Sequence, residues 1–380
     1  MTAAPPVTSL VTSVLPAADV PQAEWDGLAR AAGALFATPA WVRAVDAVLA
    51  PGRVLVATAR RGDRLVGVLP VEVRRVAGTP VVRFAGTGPS DYGTVPVAVG
   101  VAAGAVVAGL LDALERHLGR AVVLDLQQVS DLDATGAAVR AWARSRGRAV
   151  RVVRQAETIR RELGPADAKD SKNRRAKDRR TLRRLAGLGE VEVCPDLLPD
   201  PLPDPAAVDA LVAELDAVDA AHPHAGDRNR PWTGTRGRFL TEFLRAAPPG
   251  GRWLTGVRVD GRLVAYSVEL VAGSTVGTYL CSYRAEVAEA AVGTMLLHDA
   301  RRRAHAQGAV VVDMLRGLEG YKHLIATSTH VSRRVLVLPH RALLPLAPVL
   351  AWRQELRPLV RRWRARRAAP RPQDPPTSSR

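Results

Sequence analysis

Cysteine, lysine and aromatic side chains are all scarce in this sequence of 380 residues. Its two cysteines, Cys194 and Cys281, offer neither a disulfide framework nor zinc-ligand spacing, so disulfide-stapled and zinc-ribbon classes are excluded and a reducing cytoplasm is expected. Aromatic residues make up 4% of the chain. No run of about 18 uninterrupted apolar residues occurs, so no membrane span is expected. The N-terminal stretch MTAAPPVTSLVTSVLPAADV has no basic segment before its apolar residues and does not read as a signal peptide. Only four of the 54 basic residues are lysine, at 169, 172, 177 and 322.

Positive charge, by contrast, is abundant: the formal net charge is +17. It is concentrated in two places. Lys169 to Arg184 has nine basic and two acidic residues, and Arg341 to Arg380 has ten basic and two acidic. The remaining chain is close to neutral, so the pattern is two local patches and not the uniform basic surface of a DNA-binding protein. No DNA partner is expected. The run 169–184 reads either as a solvated helix or as a contact for a polyanion. The tail 341–367, with Trp352, Leu356, Leu359, Val360 and Trp363 among arginines, suits peripheral contact with an anionic membrane face or packing back onto the protein.

At this length two domains are expected, and the sequence repeats itself. AVVLDL at Ala121–Leu126 returns as AVVVDM at Ala309–Met314. A hairpin-like stretch precedes each copy, Leu55–Val71 and Trp253–Leu270, and a glycine-started helical stretch lies between, from Gly104 and from Gly293. Two copies over so long a span indicate a duplicated domain and not a solenoid. The expected division is a disordered 1–20, a first half 21–160, a second half 161–340, and a basic, partly disordered tail 341–380. The first copy carries ten extra residues, which include the loop GTGPSDYG at Gly86–Gly93.

A polar-tipped hairpin, a third strand, a glycine-started helix and a further buried strand follow the central order of the GNAT acyltransferase fold. "DGRLVAY" and then "GTMLLHDARRRAHAQGAVVVDMLRGLEGYK" resemble the CelD-type, Fem-related acyltransferases, a group with tandem GNAT-like halves. The resembling positions are Asp313, Leu315, Arg316, Gly317, Tyr321 and Lys322, and the SDYG loop and the basic helix from Ser171 are similar to that group as well. The resemblance implies an α/β protein of two tandem GNAT-like (acyl-CoA N-acyltransferase) domains from an internal duplication. It also implies acyl transfer, with an acyl-CoA (acetyl-CoA first) as co-substrate, to an amine or hydroxyl of an envelope-related or polar small molecule. Three positions depart from the group's pattern. Leu318 follows the Arg-Gly turn where an acid is common, no tryptophan follows Tyr321-Lys322, and AEVAEAAVG lacks a Gly-x-Gly phosphate cradle before Gly293. Two alternatives therefore stand: an aminoacyl-tRNA-dependent Fem-like transferase, and a non-catalytic binding protein of the same fold.

The candidate site follows from the same residues. Asp313, at the end of a buried strand, is a base or acceptor-orienting group, but Asp125 in the equivalent place makes a shared structural role an equal reading. Tyr321 reads as a general acid or as packing under its loop. Arg316 and Lys322 are anion contacts, with a solvated lysine as the alternative. Ser90, Asp91 and Tyr92 are substrate contacts or ordinary turn residues. The amides of Gly293, Thr294 and Met295 would receive the donor's pyrophosphate. His222 and His224 read as loop residues, Cys281 as core, and no metal is expected.

Overall fold

The computed structural model describes residues 9–168, 170–199, 204–226, 230–317, 320–323 and 325–340. The tail assigned to membrane contact lies outside these residues.

The first half runs β1 (Leu10–Pro16), α1 (Gln22–Ala31), α2 (Pro39–Ala44), β2 (Val54–Arg61), β3 (Arg64–Val76), β4 (Thr79–Phe84), α3 (Ala103–Leu118), β5 (Val123–Val129), α4 (Thr135–Ser145) and β6 (Ala149–Glu162). The second runs α5 (Lys172–Ala186), β7 (Val191–Cys194), α6 (Pro205–Ala220), α7 (Gly234–Ala246), β8 (Arg252–Val259), β9 (Arg262–Ala272), β10 (Thr275–Tyr283), α8 (Val292–Ala306), β11 (Val311–Arg316), α9 (Gly320–His323) and β12 (Ser328–Leu338). The expected hairpin–strand–helix–strand unit is therefore present twice. In each copy the strand after the hairpin pairs in parallel with the strand after the helix, β4 with β5 and β10 with β11. α3 buries Val107, Leu110, Leu111 and Leu114 against its sheet, as the spacing of its apolar residues requires.

One expectation needs correction, and one strand was not anticipated. Leu10–Pro16, within the segment expected to be disordered, is an edge strand antiparallel to β2, with the Ser13 and Thr58 hydroxyls 2.8 Å apart. Its apolar–polar alternation suffices for a half-buried strand despite the prolines around it. Ala149–Glu162 is a long strand that periodicity does not reveal, because arginines occupy many of its positions.

That strand organises the molecule. All twelve strands form one sheet in the order β1-β2-β3-β4-β5-β12-β6-β11-β10-β9-β8-β7. The last strand of each half is exchanged: β6 pairs with β11 of the second half, and β12 pairs with β5 of the first. β6 and β12 also pair with each other along the centre, from Ser328↔Arg160 to Leu338↔Ala149. The halves share a continuous backbone ladder and are not two domains resting on each other.

Each exchanged strand brings an arginine to the aspartate of the host half. Arg334 of β12 donates to Asp125 Oδ1 at 2.6 Å, and Arg83 donates to Oδ2 at 2.9 Å. Arg160 of β6 has its Nε 3.0 Å from Asp313 Oδ2. Both aspartates are buried, at 3% and 1% exposure. Removing one partner from such a pair leaves an uncompensated buried charge. Asp125→Ala is expected to destabilise the protein by roughly 3–5 kcal/mol in urea unfolding. A loss well under about 1 kcal/mol would mean that the pair does not hold the exchanged strand.

Candidate active site

β10 and β11 pair only over Thr275–Gly277 and Val311–Asp313 and then part. A register shift between Thr278 and Leu280 bends β10 away at the same level. Into this gap opens a cavity of about 600 Å³, walled by Thr278–Cys281 of β10, Met314–Arg316 of β11 and the first turn of α8. His222 and His224 close one side, and Ser267 and Glu269 of β9 close another.

The first half has the same parting strands. β4 and β5 pair over Val81–Val82 and Val123–Leu124, and the loop after β4 then fills the gap. Gly93 N donates to Gln128 O at 2.9 Å, and Val95 N donates to Thr135 Oγ1 at 3.0 Å. A side chain at Gly93 would lie 2.1 Å from the Phe84 ring, so the loop fits only with glycine there. The ten-residue excess is therefore a plug, and its tip reaches into the second half.

The expected site residues divide accordingly. Asp91, Arg316, Lys322, Gly293 and Thr294 line the 600 Å³ cavity together. Asp91 accepts from Arg316 Nε and, at 3.2 Å, from Arg316 N, joining the plug loop to the end of β11. Lys322 Nζ donates to Arg316 O at 2.8 Å, which ties the ammonium to the Arg-Gly turn while keeping it in the wall. Gly317 adopts φ +112°, a conformation that a side chain would strain.

Ser90, Tyr92, Met295 and Asp313, expected at the site, are not among the residues that line this cavity. Ser90 Oγ accepts from Trp41 Nε1 at 2.9 Å. Tyr92 is buried and faces Asp313, and burial pushes its hydroxyl well above the usual tyrosine range. Met295 packs in the core beneath α8, and its amide already donates to Ala291 O at 3.3 Å. The amides of the α8 first turn outside that bond are at Val292, Gly293 and Thr294. Asp313 Oδ1 accepts from Leu315 N at 2.8 Å and fixes a residue at φ +58°. Burial raises the Asp313 carboxyl above the usual range, although Arg160 beside it works in the opposite direction. Tyr321 belongs to α9, and its side chain falls outside the described residues.

Glu269, which no motif marks, is the most perturbed acid in the cavity wall. It is 1% exposed, and neither carboxylate oxygen has a hydrogen-bond partner among the described residues. Burial pushes its carboxyl up to about 8. It sits across from Thr278, where β10 bends. The available signal was an acid at an inward position of the apolar strand LVAYSVELVA. The His222 ring packs tilted against Tyr283, with centroids 4.9 Å apart, and its Nδ1 accepts from His224 N at 3.0 Å, which leaves Nε2 as the protonated nitrogen of the neutral ring. Among the described residues no group of three or more His, Cys, Asp and Glu side chains could hold a metal.

This architecture, with parted parallel strands and a helix N-terminus bordering the gap, is the GNAT fold present twice. Residues 172–323 match the family model described as an acetyltransferase (GNAT) domain, so the second half is a GNAT domain. No curated protein matches the sequence. Among solved structures, FemX superposes with a TM-score of 0.59 at 12% identity, covering 88% of this chain and 99% of its own. The C-terminal domain (DUF2156) described as that of a lysylphosphatidylglycerol synthetase from Agrobacterium fabrum superposes with a TM-score of 0.51 at 14% identity, covering 88% and 97%. At these identities the likeness is one of fold: the chain as a whole is built as FemX is.

Glu269 makes stability depend on pH. Its folded value of about 8 lies above the ordinary glutamate value of 4.5, so between these the folded protein holds a proton that the unfolded chain has released. Stability should fall as pH rises through that window, by on the order of 5 kcal/mol in total. Thermal unfolding of wild type and Glu269→Gln from pH 5 to 8 should show a steeper fall in wild type. Parallel curves would mean that Glu269 is not buried and unpaired in solution.

Proposed function

We propose that this chain transfers an acyl group from an acyl-CoA, acetyl-CoA first, to an amine or hydroxyl of a polar small molecule. The single observation that carries this reading is the 600 Å³ cavity at the parted β10 and β11, bordered by the first turn of α8. The donor's thioester would lie at the bulge of β10, and its phosphates toward the amides of Val292, Gly293 and Thr294.

The acceptor's nucleophile attacks the thioester carbon directly. As the C–N or C–O bond forms the C–S bond breaks, and the thiolate leaves to take up a proton. Glu269 is the group suited to accept the nucleophile's proton, since a carboxyl near 8 is matched to transfer close to neutral pH. Asp313 holds the Leu315–Arg316 turn in place, and Tyr321 remains a candidate donor to the leaving sulfur. The resemblance to CelD-type proteins favours an envelope-related acceptor.

A second reading, aminoacyl transfer from a charged tRNA, is favoured by α5. Lys172, Arg175, Lys177, Arg179, Arg180 and Arg183 are exposed and have no ion-pair partner among the described residues. Arg174 differs, being half-buried and paired with Asp178. α5 also abuts the turn before α8, where Thr181 Oγ1 donates to Ala290 O at 2.7 Å. The exposed cations therefore flank the donor end of the cavity, where a polyanion would approach.

Native mass spectrometry with a panel of acyl-CoAs, alongside nucleic-acid analysis of the purified protein, separates the readings. An acyl-CoA adduct is expected. Co-purifying tRNA without any adduct would shift the assignment to aminoacyl transfer, and neither would leave a binding protein. If tRNA is bound, Arg175, Arg179, Arg180 and Arg183 changed to alanine should weaken binding and flatten its salt dependence.

With an acceptor in hand, Glu269→Gln should lower kcat by roughly 10²–10³-fold with little change in KM. The wild-type rate should rise with pH to a plateau above about 8. Unchanged kcat in a folded Glu269→Gln protein would remove the carboxyl from the reaction.

A further inference from the structure

A second cavity of about 370 Å³ lies beside the first, and the halves build it jointly. Leu49, Gly88 and Pro89 come from the first half, and Arg236 and Phe239 come from α7 of the second. Asp91, Tyr279 and Arg316 line both cavities, so the Asp91–Arg316 pair forms the partition between them.

Among the described residues, the lining of the smaller cavity carries more positive than negative groups. Two guanidiniums, Arg236 and Arg316, border the smaller cavity, against one carboxylate, Asp91. Asp91 is engaged by the side chain and the backbone of Arg316. Arg236 has no ion-pair partner among the described residues, and its Nε is buried without a hydrogen-bond acceptor. The guanidinium donates to the Tyr279 hydroxyl, which itself donates to Pro89 O at 3.0 Å, so it is Nε that is left buried without an acceptor. A buried, unsatisfied guanidinium N–H is unfavourable unless an acceptor arrives. Arginine's planar fork suits a bidentate oxyanion, and the apolar Leu49, Pro89 and Phe239 around it would strengthen such a contact by excluding water.

We infer that the smaller cavity is a subsite for an acidic arm of the acceptor, a carboxylate or phosphate gripped by Arg236. The rest of the acceptor runs past the Asp91–Arg316 partition and delivers its amine or hydroxyl into the larger cavity. This rests on the acyl-transfer reading and narrows the acceptor to molecules bearing both a nucleophile and an anion. It also assigns the first half a part in substrate binding, since its loops wall the subsite.

The test is equilibrium titration of the full chain, without donor, using matched pairs of probes: β-alanine against propylamine, and phosphoethanolamine against ethanolamine. The acid-bearing member should bind more tightly, and Arg236→Gln should weaken it by roughly tenfold or more while leaving its partner unaffected. Arg236→Lys, which keeps the charge and loses the fork, should fall between. The tighter of β-alanine and phosphoethanolamine identifies the anion as carboxylate or phosphate. Acetyl-CoA titrated into the same variants reports separately on the donor site and should be unchanged, so a failed donor reading is distinguishable from a failed subsite. Equal binding within each pair, no binding of either acid, or full retention in a folded Arg236→Gln protein would overturn the subsite.

Discussion

Two buried aspartates clasp arginines that arrive on strands from the opposite half, and the remaining architecture depends on this exchange. A carboxylate sealed in a sheet is tolerated only with a cation or donors at hand. Asp125 has Arg334 and Arg83, while Asp313 has Arg160 and the Leu315 amide. The pairings also fix register, because a one-residue slip of β6 or β12 would turn its arginine to the other face and leave the aspartate alone. With β6 and β12 placed, β5 and β11 acquire antiparallel neighbours and the two sheets become one. The end of β11 then stands firmly enough to form one wall of a cavity.

From one repeated frame come two different outcomes. In the second half the parted strands enclose open space, whereas in the first the same gap holds Tyr92, Val95 and Ala98. The plug serves the other half as well. Its tip reaches Trp41, Tyr279 and Arg316. Phe36, Trp41, Tyr92, Phe239, Phe243 and Tyr279 meet there edge to face. Such pairs contribute beyond their buried area, so a chain poor in aromatics spends six of its sixteen on joining its halves.

The duplication was legible because strand alternation and helix spacing leave local traces, and AVVLDL and AVVVDM recur almost letter for letter. The exchange was not. Nothing in AVRVVRQAETIRRE distinguishes a central strand from a solvated one, since its arginines look like surface until their partners are known. For the same reason Asp313 read equally well as a base or a clasp, because sequence places it at a strand end and cannot show Arg160 beside it. Arg316, Lys322, Asp91, Gly293 and Thr294 reached the cavity because short motifs fix the turns that carry them. Glu269 and Arg236 belong to no motif. Their character comes from missing partners, and a missing partner is a property of three-dimensional neighbourhood alone.

The exchange of β6 and β12 also sets an order of assembly during synthesis. The strand that completes the sheet of the first half is Ser328–Leu338, close to the end of the described chain. Until it emerges, the first half must wait with one edge of β5 unpaired, and β6 projects without either of its neighbours. Domains of a growing chain generally fold as units from the N-terminus, but this one cannot close its first unit before most of the second has been made. Contacts so distant in sequence slow folding and leave strand edges open meanwhile. The arginines of β6, awkward as they look for an interior strand, would keep that waiting edge charged and soluble.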